Sequence, residues 1–238
     1  GIDKIESTTN SKNLNFNLLD KDEISDVINK EKPDFFIHTA THSALAYKNN
    51  FLESFMEDNK VLYNIISALR LKNQAKLLYF SSSYVYSGLN LNINVDEETI
   101  LNPKHNFGIA KSFFEKLILK NYSNSIIYRL SSVFGPGNYL HPNAIYNLAR
   151  EAIEDDNLTI WGKGLRKMQY VYIKDVIKCI LNITRLNTGI YNVCGSEYYT
   201  IKQTVEEISK YFNSKVTMLP EKKEGETLSF MENNKIEK

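Results

Sequence analysis

The chain has 238 residues, 42% of them hydrophobic and 24% charged, with a formal net charge of +1, which is the composition of an ordinary globular protein. The balanced charge gives no reason to expect nucleic acid or an anionic membrane surface as a partner, and two cysteines are too few for a disulfide scaffold or a cysteine-based zinc site. No apolar run approaches the roughly 20 residues of a membrane span and no secretion signal is recognisable, so we expect a cytoplasmic protein.

Short apolar runs alternate with longer amphipathic ones in the first half of the chain, which is the pattern of an α/β fold with a parallel sheet. Buried strands are predicted at Phe35–Ala40, Ala75–Phe80 and Ser125–Leu130, because each is a short apolar run. Helices are predicted at Leu52–Leu71, where apolar residues recur every three or four positions, and from about Gly108 to Lys120. The order of these elements predicts a doubly wound parallel sheet.

The pattern changes after Gly135-Pro136-Gly137, where short strands alternate with helices. This change predicts a smaller lobe over residues 136–238, some of whose segments return to the main sheet. We expect the lobe to lie at the carboxyl ends of the parallel strands, where ligands bind in open α/β sheets. The predicted helices lie near residues 142–155, 174–184 and 200–212, and the predicted strands include Leu158–Trp161 and Ile190–Val193.

The two ends of the chain have patterns of their own. Gly1-Ile2-Asp3 resembles the end of a strand, and no glycine-rich turn precedes it. In dinucleotide-binding folds the acidic residue that holds the adenosine ribose ends the second strand, about 20 residues beyond the glycines. Asp3 fits that role if one strand and one helix are missing before it; alternatively, it is a solvated terminal residue. Because residues 227–238 are predicted to stop in mid-helix, we expect truncation at both ends.

Several segments, in this order and spacing, carry a resemblance to a known family. They are Asn15–Asp20, His38–Ala40, Phe80–Tyr86, Phe107–Lys111, Arg129–Gly137, Gly162–Arg166 and Tyr170–Val176. Together they resemble the extended short-chain dehydrogenase/reductases, the NAD-dependent epimerase/dehydratase family, over nearly the whole chain. The resemblance implies an incomplete Rossmann-like NAD(P)-binding domain over residues 1–135, a small α/β substrate lobe over 136–238, and a nucleoside-diphosphate sugar as substrate.

The resemblance also implies which residues bind NAD or NADP. The family usually has Asp where Asn17 stands, and its Lys holds the nicotinamide ribose. Homodimers in this family commonly form through two helices, which here would be Leu52–Leu71 and Gly108–Lys120. The implied cofactor-binding residues are Asp3, Asn17, Leu18, His38, Thr39, Ala40, Asn59 and Lys111.

The family's catalytic Tyr-x-x-x-Lys pair is altered in this sequence, because Phe107 stands at the tyrosine position before Lys111. Residues four apart share a helix face, so a Lys ammonium there would favour the phenolate of a Tyr whose pKa is ordinarily about 10. A phenyl ring cannot exchange the proton. Three interpretations follow: a change in an otherwise complete active site, a substitute base such as Tyr84 or His105, or ligand binding without turnover.

Substrate-binding residues are implied by the same resemblance. Ser82, four residues before Tyr86, corresponds to the family Ser or Thr that hydrogen-bonds the reacting sugar oxygen. Ser83 and Tyr84 stand where family dehydratases have Asp-Glu, which disfavours dehydration. Ser132 occupies a position commonly filled by a substrate-binding Asn.

Arg166 is the implied diphosphate ligand, two residues before Met168, where epimerases often place an Arg; alternatively, it only faces solvent. His38 and His42 are four apart but straddle a strand end without a carboxylate cluster, so no metal site is predicted.

The leading hypothesis is an NAD(P)-dependent epimerase or reductase of a nucleoside-diphosphate sugar. Its rival is a non-catalytic nucleotide-binding or regulatory subunit, which Phe107 favours.

Overall fold

A computed structural model describes residues 2–3, 14–73, 75–137 and 143–237. Within these ranges the helices are α1 (Lys21–Glu31), α2 (Ala44–Asn49), α3 (Phe51–Ala68), α4 (Asn106–Asn121), α5 (Ala144–Glu154), α6 (Ile173–Leu181) and α7 (Ile201–Phe212). The strands are β1 (Ile2–Asp3), β2 (Leu14–Asn15), β3 (Phe35–His38), β4 (Lys76–Ser82), β5 (Asn94–Val95), β6 (Ser125–Leu130), β7 (Ser132–Phe134), β8 (Asn157–Trp161), β9 (Lys167–Tyr172), β10 (Gly189–Val193), β11 (Tyr198–Thr200), β12 (Lys215–Leu219) and β13 (Phe230–Met231). No helix in this part of the chain has the length and apolar character needed to cross a membrane.

The first of two compact units comprises residues 1–81, 104–128 and 187–190. Its sheet has the strand order β10-β6-β4-β3, and β3 pairs with β4 in parallel, with Phe35 opposite Lys76. Leu77, Leu78 and Tyr79 are consecutive and all buried, as expected for a strand covered on both faces. The predicted α/β fold with a parallel sheet is therefore confirmed.

Helix α3 shows how the first unit is assembled. Asn50 caps its N-terminus by accepting a hydrogen bond from the backbone N–H of Glu53. Leu62 and Ile65 are fully buried on the face that packs into the core. The helix ends at Ala68 and continues as one π-helical turn over Leu69–Asn73, close to the predicted end at Leu71.

The second unit comprises residues 82–103, 129–186 and 191–238. It contains a three-stranded sheet in the order β11-β9-β7 and two pairs of parallel strands, β8 with β12 and β5 with β13. Leu148, Leu158 and Val205 form its small core between α5, β8 and α7. Each compact unit is discontinuous in sequence, and the predicted division at residue 135 stays a prediction.

The predicted mid-helix end of the chain is wrong. Residues 227–237 contain the short strand β13 and otherwise form loop and turn. The backbone groups of Met231 are bound by one side chain, because its N–H donates to Oε1 of Gln169 and its carbonyl accepts from Nε2 of Gln169. With these groups bound across the unit, the segment is extended rather than helical.

Candidate functional site

Lys111 is the charged centre of the first unit. It lies on α4, whose N-terminus is capped by His105, and its side chain is only 2% exposed. Its Nζ lies 3.1 Å from Oγ1 of Thr41, 3.1 Å from the hydroxyl of Tyr79 and 2.8 Å from the carbonyl oxygen of Phe80. An ammonium has three donors, so these groups match its hydrogen-bonding capacity. Burial lowers the pKa of Lys111 to about 8, although the charges of Asp58 and Glu115 act in the opposite direction.

The lowered pKa predicts a pH dependence of stability. Between pH 8 and the ordinary lysine pKa, the folded chain binds fewer protons than the unfolded chain, so the free energy of unfolding should rise with pH. We expect this contribution to be about 2 kcal/mol between about pH 8 and pH 9.5. Urea unfolding across this range should show the rise in the wild type and its absence in Lys111→Met. Parallel pH profiles for the two proteins would contradict the prediction.

Phe107 lies one helical turn before Lys111, and the two share a face of α4 as the spacing predicts. The Nζ of Lys111 is 5.3 Å from the centroid of the Phe107 ring, within the range of a cation–π contact. The Phe107 ring also contacts a second aromatic side chain, since its centroid lies 5.6 Å from that of Tyr47. The position therefore supplies shape and a π-face to the lysine but has no group that can take a proton.

Asp58 is a functional candidate that sequence reasoning missed. Its side chain is buried, with 5% exposure, and Oδ1 lies 2.7 Å from Nδ1 of His42 while Oδ2 accepts from the hydroxyl of Tyr47 at 2.8 Å. Burial, followed by the charge of Asp58, raises the pKa of Tyr47, so this phenol stays protonated. The predicted residue was the neighbouring Asn59, which is only half-buried. A carboxylate on the buried stripe of α3, four residues before Leu62, was the available signal.

Apart from Asp3, the other predicted cofactor residues lie in two places, at the end of β3 and in the loop that follows β2. His38 is 3% exposed, its Nε2 makes no hydrogen bond with the described residues, and burial followed by the charge of Lys111 lowers its pKa to about 3. Thr39 and Ala40 follow it as exposed residues, because the strand ends at His38 rather than at the predicted Ala40. In the first loop, Oδ1 of Asn17 accepts from the backbone N–H of Leu19. The carbonyl of Leu18 accepts from Nδ2 of Asn64, and the side chain of Asp3 lies outside the described part of the structure.

The predicted substrate residues meet in the second unit. Together they line a cavity of about 140 Å³, which Met168 and Gln169 also border. Ser82 accepts a hydrogen bond from the backbone N–H of Tyr84 and so caps the 3-10 turn that carries this segment. The predicted residues that line the cavity are Ser82, Ser83, Tyr84, Ser132 and Arg166. Their individual roles stay predictions.

A buried polar network fixes the turn that carries Ser82 to Tyr84. The hydroxyl of Tyr86 accepts from Nη1 of Arg129 at 2.7 Å, and its one proton has two acceptors within reach, the carbonyl of Asp96 at 2.8 Å and Oδ1 of Asn192 at 2.9 Å. The backbone N–H of Asn192 in turn donates to the carboxylate of Glu97. These hydrogen bonds restrain the turn and so help to fix the position of the Ser82 hydroxyl at the cavity.

Arg166 is held at the edge of the same cavity. Its Nε donates to the carbonyl oxygen of Glu226 at 2.9 Å, and its backbone N–H donates to Oε2 of Glu224 at 2.6 Å. The turn before it needs Gly162 and Gly164, whose φ angles are +61° and +67°. Arg166 is thus half-buried and bound through its backbone and its Nε, rather than only solvated.

Comparison with known proteins gives a family match over residues 2–194, to the NAD dependent epimerase/dehydratase family. The dTDP-D-glucose 4,6-dehydratase of Dictyostelium discoideum is 26% identical over 228 residues, which cover 83% of this chain and 52% of that protein. Methionine adenosyltransferase 2 subunit beta of Xenopus tropicalis is 26% identical over 211 residues, covering 83% and 61%. The chain spans about half the length of the curated relatives it matches.

Solved structures give the same fold. UDP-glucose 4-epimerase of Thermotoga maritima, solved with UDP-glucose, superposes with a TM-score of 0.85 at 17% identity over 98% of this chain and 81% of that one. The dTDP-4-dehydrorhamnose reductase of Bacillus anthracis, solved with NADP, gives a TM-score of 0.80 at 19% identity, covering 94% and 81%. At these identities the similarity establishes the fold.

Proposed function

Because the chain belongs to the NAD-dependent epimerase/dehydratase family, we propose that it is an NAD(P)-dependent epimerase or reductase that transfers hydride at a carbon of a nucleoside-diphosphate sugar. The observation that carries this proposal is the cavity of about 140 Å³ on which the substrate residues converge. These residues are far apart in sequence, and their meeting at one cavity supports a common ligand.

The chemistry of the cavity suits one end of a nucleotide sugar. The hydroxyl of Ser82 can donate to a sugar oxygen, and the guanidinium of Arg166 can bind phosphate oxygens through two parallel hydrogen bonds. Ligand pockets for whole small molecules commonly reach about 300–1,000 Å³, so a cavity of about 140 Å³ holds only part of such a substrate. A sugar ring with an adjoining phosphate is the part that these side chains match.

The first unit has groups that fit a nicotinamide dinucleotide. A ribose hydroxyl can replace one of the three present acceptors of the Lys111 ammonium, among them Oγ1 of Thr41, and Nε2 of the buried His38 has no partner among the described residues. When bound, the nicotinamide supplies the acceptor or donor of the hydride. Lys111 would orient the ribose, and burial, followed by the positive charge of Lys111, lowers the pKa of His38 and so keeps that imidazole neutral. The NADP-bound reductase of the same fold supports the class of cofactor.

Dimerisation through α3 and α4 is part of the same proposal. Both helices carry large apolar side chains that are exposed in the single chain, among them Leu52 and Met56 on α3 and Ile109 and Phe113 on α4. Exposed apolar surface of this kind is common where proteins associate. A second copy of this chain is therefore the expected partner.

A non-catalytic nucleotide-binding subunit is the second candidate, and Phe107 favours it. Tyr79 lies closest to Lys111, but burial raises its pKa well above the ordinary value, so it is no more suitable as a base than Tyr47. Nδ1 of His105 already accepts from the backbone N–H of Phe107. Tyr84, at the cavity, remains the candidate substitute base. One relative, which aligns with 83% of this chain, is itself named as a subunit: methionine adenosyltransferase 2 subunit beta.

Ser82→Ala tests the proposed activity. We expect NADH or NADPH binding to persist while turnover of a panel of UDP- and dTDP-hexoses falls about 100-fold, because the reacting oxygen loses its hydrogen-bond partner. Cofactor fluorescence measures binding, the absorbance of reduced nicotinamide measures net reduction, and chromatography of the nucleotide sugars measures epimerisation, which leaves the nicotinamide unchanged over a full turnover. Ser123→Ala, on an exposed turn, is the matched control. Wild-type turnover in Ser82→Ala would contradict the proposal, and cofactor binding without any turnover in the wild type would support the non-catalytic subunit.

A further inference from the structure

Four consecutive residues of the second unit, Glu224 to Thr227, lie along the turn at residues 163–167 and contact it. We call these four residues the strap. The carboxylate of Glu224 accepts from the backbone N–H of Lys163 at 2.9 Å and of Arg166 at 2.6 Å. Thr227 continues the pattern, since its Oγ1 accepts from the backbone N–H of Lys167 at 3.0 Å. The strap has no helix or strand of its own.

The turn under the strap is built to hold an oxyanion. Two glycines in the left-handed region, Gly162 and Gly164, allow neighbouring backbone N–H groups to converge on one point, as in anion-binding nests. Glu224 occupies that point, and hydrogen bonds from the backbone, first from Arg166 and then from Lys163, hold its pKa below the usual value. A Cβ at Gly162 would lie 2.8 Å from the Glu224 side chain, so the fit is close.

The side chain of Arg166 is fixed by the next two residues of the strap. Its Nε donates to the carbonyl of Glu226, while its two Nη groups make no hydrogen bond with the described residues. The guanidinium lies against Gly225, where a Cβ would meet Nη1 at 2.7 Å and Cζ at 2.9 Å. The φ of Gly225 lies outside the left-handed region, so space alone requires a glycine at this position.

We propose that the strap is a positioning device, which fixes the Nε side of Arg166 and leaves its two Nη groups free to bind the diphosphate of the substrate. This inference rests on the proposed function, because Arg166 borders the cavity assigned to the nucleotide sugar. Arg166 also borders a second cavity of about 170 Å³ with Glu224 and Gly225. Without the strap, a long flexible side chain would lose entropy on binding.

Gly225→Ala is the sharpest test, because the added methyl group displaces the guanidinium without straining the backbone. We expect the dissociation constant for UDP, and for inorganic pyrophosphate, to rise about tenfold, as it should in Arg166→Ala. The double variant should bind no more weakly than Arg166→Ala alone, since Gly225 acts only through Arg166. Calorimetric titration gives the constants. Hydrogen exchange of the Arg166 Nε–H, followed by NMR, should become faster in Gly225→Ala at an unchanged melting temperature.

Glu224→Gln provides a second variant that keeps the shape of the side chain. It should also weaken UDP binding, whereas Glu221→Gln, which removes an exposed charge nearby, should not. Tighter binding in Glu224→Gln would mean that the carboxylate competes with the substrate phosphate, and would overturn the positioning role. Wild-type affinity in Gly225→Ala would overturn it and leave the proposed function intact. A wild-type protein that binds neither UDP nor pyrophosphate would remove the proposed function and this inference together.

Discussion

Phe107→Tyr is expected to increase the rate of hydride transfer by about 10²–10⁴-fold, the range that a positioned general base contributes. The ring already lies on the face of α4 that carries Lys111, with the ammonium 5.3 Å from its centroid. A positive charge at that distance favours the phenolate and lowers the pKa of the new hydroxyl. The measurement is a single-turnover assay of reduced nicotinamide with enzyme in excess over the nucleotide sugar.

Phe212→Tyr is the matched control for this gain, because it adds the same hydroxyl at a partly exposed position near the end of α7. The increase in Phe107→Tyr should also depend on pH, rising as the phenol ionises. A well-folded Phe107→Tyr protein that binds NADH and nucleotide sugar but transfers no hydride would contradict a latent catalytic site. In that case the non-catalytic subunit becomes the better description of the chain.

Strands β4 and β6 of the first unit could be predicted because they are covered on both faces, with no exposed residue in either. Ser125–Leu130 has the predicted bounds, since a fully buried strand is a continuous apolar run bounded by polar residues. Helix α2, at Ala44–Asn49, has less than two turns of periodicity and depends on its Ser43 cap and on the burial of Tyr47. Phe230–Met231 could not be predicted as a strand, because Gln169 satisfies its backbone from another part of the chain.

Some features of the candidate site could be predicted from local sequence, whereas others depend on contacts between distant parts of the chain. Phe107 and Lys111 could be assigned to one surface because four residues make about one helical turn. The stripe of α3 indicates that Asp58 is buried, but its contact with Tyr47 depends on how α2 packs on α3, which no local pattern shows. The partner of Arg166 lies 60 residues later in the chain, so the family resemblance implied that Arg166 is a substrate ligand but could not show what holds its side chain.

Asp58→Ala is expected to lower the free energy of unfolding by about 3 kcal/mol or more. The substitution removes a buried carboxylate, which leaves Nδ1 of His42 without its partner and the hydroxyl of Tyr47 with only the carbonyl of Ser54 at 3.4 Å. It also removes a negative charge that raises the pKa of Lys111, so the lysine should lose its proton at a still lower pH. Urea unfolding monitored by circular dichroism measures the first effect, and the pH dependence of stability measures the second.

Glu57→Ala separates this prediction from a general effect of losing an acid near His42. The carboxylate of Glu57 lies 3.3 Å from Nε2 of the same histidine, but it is 46% exposed, and exposed ion pairs contribute about 0–1 kcal/mol. The two variants therefore remove neighbouring partners of one imidazole, one buried and one solvated. Similar losses in both would show that Asp58 is not the buried acceptor that organises α2, α3 and the lysine. A large loss confined to Asp58→Ala, with a shift in the Lys111 titration, would make Asp58 the residue that keeps the ammonium charged.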